Sequence, residues 1–159
     1  MDAFYYWKNY EQELKAGVAG YFKSSSEKLQ ALADGQPEFI WAFKTPAGRK
    51  GLLQLVARLH WREAPTKGFR KEAGVFYIHY DPKHPSSELY TDSATDEALA
   101  VTTAWASRHF HQMRAANFHG AHGQEALRGQ PLKELEAQAR GFQKRPLVVP
   151  VEGDEAVNA

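Results

Sequence analysis

Phe39-Ile40-Trp41-Ala42-Phe43-Lys44, the turn Pro46-Ala47-Gly48-Arg49-Lys50-Gly51 and the run from Leu52 to Trp61 decide the fold. Five of the first six residues are apolar and the run is rich in β-formers, as in a buried strand. Proline and two glycines punctuate the turn. In the second run Leu53, Leu55, Ala57 and Leu59 alternate with Gln54, Val56, Arg58 and His60, the period-2 signature of a strand with one apolar face. The reading is a β-hairpin whose loop presents Arg49 and Lys50.

Toward the N-terminus, Phe4–Trp7 reads as a short aromatic strand. Asn9 can cap a brief helix through Leu14, ended by Gly17 and Gly20. Ser24-Ser25-Ser26 then precedes Glu27-Lys28-Leu29-Gln30-Ala31-Leu32, and Gly35 follows. A serine cap, apolar residues at i and i+3 and a closing glycine predict a second short helix.

Toward the C-terminus, Gly74–Tyr80 is another aromatic strand, and Asp81–Ser87 is a proline-marked loop. Thr95 or Ser93 caps a helix with Asp96 and Glu97 in its first turn, which suits the helix dipole. Leu99, Ala106, Phe110 and Met113 share one face of it. Asn117–Gln130 is glycine-rich and reads as irregular. Pro131 opens a last helix with a stripe of Leu132, Leu135, Ala139 and Phe142. Pro146–Val151 reads as a closing strand, and the expected domain is residues 1–151 with a flexible acidic tail over 152–159.

The 159 residues carry no cysteine, which removes disulfides, thiolate metal sites and a cysteine nucleophile. No stretch approaches the ~18 apolar residues of a membrane span. Met1-Asp2-Ala3 is acidic, and Lys8, Glu11 and Glu13 interrupt any apolar run, so no signal peptide and a cytoplasmic location are expected. Net charge is only +1, yet Lys44, Arg49, Lys50, Arg58, Arg62, Lys67, Arg70 and Lys71 fall in one segment opposed by Glu63 alone. Such a segment is either a polyanion footprint or a solvated strand-and-loop surface.

Familiar catalytic signatures are missing: there is no GxSxG elbow, Walker loop, GxGxxG or HExxH. His109 and His111 stand two apart on a helix and point to different faces; His119 and His122 lie in a glycine-rich loop without carboxylates at ligand spacing. Neither a metal nor another cofactor is expected.

A Tyr-Trp first strand, a short helix, the Lys15-Ala16-Gly17-Val18-Ala19-Gly20 turn, the serine-capped helix at Ser26–Leu32, the Ile40–Phe43 strand and the Leu52–Leu59 strand follow in an order that resembles the PUA-like superfamily. Within it the chain looks like the EVE and related domains that read modified bases. The likeness spans roughly Phe4 to Tyr80. It departs where the family often has Gly-Asp before the second strand: here Asp34-Gly35-Gln36-Pro37-Glu38 stands instead.

That resemblance implies an α+β domain: a PUA-like β pseudo-barrel with short N-terminal helices and two longer C-terminal ones. It also implies a nucleic-acid partner, modified DNA or RNA, whose modified or flipped base enters an aromatic pocket. The candidate base-binding residues are Trp7, Phe22, Trp41, Ser24 and Ser25; the candidate phosphate-binding residues are Lys44, Arg49, Lys50 and Arg58. The plainer reading makes the rings core and one serine a cap. Two alternatives stay open. One is an enzyme of the related ASCH branch, a ribonuclease or small-amide hydrolase, using Tyr21, Lys23, Lys44 or His60. The other is a sensor in a defence or RNA-modification system whose effector is a separate protein.

Overall fold

The computed structural model describes residues 1–17, 20–65 and 68–148. The quoted stretch forms the expected hairpin, β3 (Phe39–Lys44) and β4 (Gln54–His60). Around it lie β1 (Asp2–Tyr6), α1 (Tyr10–Ala16), β2 (Tyr21–Ser24), α2 (Glu27–Asp34), β5 (Phe76–His79) and β6 (Glu88–Tyr90). They are followed by α3 (Asp96–His109), α4 (His111–Ala115), β7 (Gln124–Leu127), α5 (Gly129–Ala139) and β8 (Lys144–Pro146).

Six strands make one mixed sheet in the order β7-β1-β3-β4-β6-β8, with only the β1–β3 pair parallel. β2 and β5 form a separate antiparallel ribbon, joined to the large sheet at one corner by a Trp61–Tyr80 bridge. The architecture is α+β. Among the described residues no closed barrel forms: β7 and β8 are edges of the large sheet.

Both faces of the large sheet are covered. The ribbon and α2 lie over a core of Trp7, Phe22, Leu29, Ile40, Leu59 and Tyr80. On the opposite face α3, α4 and α5 pack over Phe4, Trp41, Phe43, Leu55, Trp105 and Leu135. Strand alternation sorts β1 and β3 cleanly: Ala3, Ile40 and Ala42 face one core, Phe4, Trp41 and Phe43 the other.

β4 departs from its sequence pattern. Ala42 pairs with Ala57 but Phe43 pairs with Leu55, so Val56 is an extra residue. A bulge of this kind reverses the side-chain alternation. Leu53 and Leu55 therefore enter the helical core while Ala57 and Leu59 enter the ribbon core, and the four leucine and alanine positions do not share a face.

Two of the helix signals translate directly. The Ser26 hydroxyl accepts from the Lys28 N–H and the Thr95 hydroxyl from the Ala98 N–H. Asn9 precedes α1 without a side-chain cap. The expected helix through Met113 breaks at Phe110 (φ −134°), where α3 ends and α4 begins. Three short strands escape sequence reading: β2, placed in a loop; β6; and β7, inside the glycine-rich stretch. The closing strand expected over Pro146–Val151 lies earlier, at Lys144–Pro146, with Leu147 and Val148 past its end; Val149–Val151 and the tail from Glu152 lie outside the described residues.

Candidate functional site

Of the expected base-binding rings, Trp7 and Phe22 are each 2% exposed and Trp41 1%. They do not make one cage. Trp7 and Phe22 pack edge to face at 5.0 Å in the ribbon core, whereas Trp41 belongs to the helical core across the sheet. Their polar handles are also occupied. The Trp7 indole N–H donates to Glu13, and that of Trp41 to Asp2 at 2.8 Å. Asp2 also accepts from the Phe39 N–H, and burial raises its carboxyl above the usual carboxylate range. Ser24 accepts from the Ser26 N–H at 3.0 Å, and Ser25 is exposed beside it.

The expected phosphate contacts are scattered. Lys44 bridges Glu11 at 3.2 Å and lies over the Tyr10 ring. Arg49 pairs with Asp96 at 2.9 Å next to exposed Lys50 in the hairpin loop. Arg58 lies against Phe39 on the helical face, far from that loop along β4. The residues considered for catalysis do not converge either: Lys23 meets Glu72 at 3.5 Å, and His60 stacks on His84 at 3.7 Å between centroids.

A different cleft brings aromatic, amide and cationic groups together. The ribbon points Phe22 and Ile78 into the core, so Tyr21, Tyr77 and His79 fall on its other side. Phe69, from the segment between β4 and β5, packs edge-on against all three at 5.1, 4.8 and 4.7 Å. Trp61, at the bridge joining the sheets, adds a fourth ring to a cleft of about 370 Å³ walled by Phe69, Tyr77 and His79. The end of α2 supplies the facing wall with Gln30, Ala33, Asp34 and Gln36; Arg62, Glu63 and Lys71 complete it. This volume is within the range of small-molecule sites.

Two details tune the cleft. His79 has its Nδ1 buried without a hydrogen-bond partner among the described residues. Burial, and secondarily the Arg62 charge, push its pKa below the usual histidine value, so the imidazole is neutral at pH 7. Burying an unpaired acceptor is less costly than burying an unpaired N–H, which favours the tautomer protonated on Nε2. Gln30 donates to Asp34 Oδ1 at 2.8 Å, holding an amide and a carboxylate side by side.

The cleft is equipped to hold a flat, π-rich ligand with a polar edge. Among the described residues no serine or threonine lines it, and nowhere do three or more His, Asp or Glu side chains converge as a metal set. Sequence reading took Trp61 as a strand end and did not single out Phe69, which lies in the basic segment. The usable signal was that segment itself, which contributes Arg62 and Lys71. No family model, no curated protein and no solved structure matches the chain.

Proposed function

We propose that the protein is a nucleic-acid-binding module that takes a modified or flipped base into the Trp61–Phe69–Tyr77–His79 cleft, on an open variant of the PUA-like architecture. The observation that carries this reading is the meeting of four rings with the Gln30–Asp34 pair and Gln36 in one cleft. Rings supply a stacking surface indifferent to base identity, worth roughly 1–3 kcal/mol per base. Amide and carboxylate groups supply the edge-reading that distinguishes one base from another. Arg62 and Lys71 stand at the same cleft to meet phosphate.

The test is a fluorescence-anisotropy titration with single-stranded oligonucleotides carrying a modified or an ordinary base. Phe69→Ala is expected to weaken binding by roughly 5- to 150-fold, the equivalent of one lost stack. Equal affinity for modified and ordinary strands removes base reading, and binding undiminished in Phe69→Ala removes the cleft.

A further inference from the structure

A second cleft, of about 210 Å³, lies on the opposite face of the sheet between α5 and the strands β4, β6 and β8. Its charged lining is Arg58, Glu136, Arg140 and Lys144, with Trp41 and Tyr90 as apolar walls. We propose that this cleft is an anion site for a phosphate group, held by Arg58 with Arg140 and Lys144. This does not rest on the base-binding reading, because the sheet separates the two clefts.

The case begins with Arg58. Its guanidinium lies 4.3 Å over the Phe39 ring and 5.8 Å from that of Trp41, so its face is spent on stacking and its edge is held in place. That edge carries five N–H donors. The structure answers them with one 3.5 Å ion pair to Glu88, and the buried Nε has no hydrogen-bond partner among the described residues. Lys144 reaches the same Glu88 oxygen, also at 3.5 Å, and that oxygen accepts no hydrogen bond. One carboxylate oxygen thus stands between two cations without satisfying either.

The remaining groups lean the same way. Tyr90 is pushed up to about 12, chiefly by burial, and stays a protonated hydroxyl. Arg140 is exposed at the end of α5. Against three cations stand Glu136 and the shared Glu88, so cationic charge is in excess at the cleft. An unpaired buried donor destabilises the fold, more so when charged. Phosphate supplies what is lacking: several acceptor oxygens and a charge that suits a fixed guanidinium edge.

The experiment titrates inorganic phosphate into the full 15N-labelled chain, with sodium chloride at matched ionic strength as control, and follows the Arg58 Nε–H resonance. A saturable shift with phosphate and none with chloride is expected. Arg140→Gln combined with Lys144→Gln, both at exposed positions, should weaken binding about tenfold or more and leave distant amide resonances unmoved. A nucleoside monophosphate arm names the source: tighter binding than inorganic phosphate assigns the site to a nucleotide, equal binding to the free ion. Absence of a saturable shift, an equal response to chloride, or undiminished binding in the double variant overturns the proposal. Oligonucleotide binding at the Phe69 cleft is expected to be unchanged in that variant.

Discussion

Gln36 combines a costly backbone geometry with a place in the aromatic cleft. It follows the end of α2 with φ 52°, in the left-handed region that glycine usually occupies after a helix. Gly35 stands one position too early, with φ −72°. A Cβ there would meet the terminal methyl of Met1 at 2.7 Å, the far end of a flexible side chain that can give way. A left-handed glutamine costs about 1–2 kcal/mol, and its side chain lines the aromatic cleft. Gln36→Gly should therefore raise unfolding stability by about 1 kcal/mol in urea melts while weakening oligonucleotide binding. His79 gives the second test at this scale. Its lowered pKa means that the unfolded chain takes up the proton first as pH falls. Stability is full above about pH 6.5 and declines as pH drops from there toward the folded value. In urea midpoints measured across pH 4.5–8, His79→Gln should flatten this decline.

Among the elements, α3 and β4 teach opposite lessons. α3 begins where the local chemistry says it should, at Thr95, and Thr95→Ala should cost about 1 kcal/mol of stability by equilibrium unfolding. Its end is set by packing: Phe110 leaves helical geometry and packs against Trp105 and Phe4 at 5.2 and 5.5 Å. β4 is governed by its partner strand. The alternation of Leu53, Leu55, Ala57 and Leu59 is legible, but the extra residue Val56 is visible only in the register with β3. Deleting Val56 would make Ala42–Ala57 and Phe43–Leu55 successive pairs of a regular ladder, with Ala57 still in the ribbon core and Leu55 still in the helical core. The expected outcome is a cooperative unfolding transition kept in near-UV circular dichroism, with stability lowered by about 1.5–3 kcal/mol for the lost buried valine.

At the scale of the molecule, a sheet covered on both faces separates its aromatic residues into structural and accessible sets. Trp41 and Trp61 show the contrast. Trp41→Ala would empty a site in the helical core at a cost of about 3–5 kcal/mol, a large part of the roughly 5–15 kcal/mol that holds a domain folded. Trp61 is half-buried at the cleft, so Trp61→Ala should leave the protein folded by circular dichroism and reduce oligonucleotide binding.

Capping residues, turn punctuation and runs of β-formers act within a few residues of themselves. The sequence alone therefore determined the β3–β4 hairpin, the starts of α2 and α3, and the strand from which His79 projects. Which face each aromatic residue meets depends on register, and a single bulged residue resets it. The cleft depends on more distant contacts still: Gln36 after α2, Trp61 at the sheet corner, Phe69 from a connecting segment and His79 on the ribbon are neighbours only after the chain closes upon itself. No local pattern encodes that meeting, because it follows from how the ribbon, α2 and the large sheet pack together, and tertiary structure alone decided it.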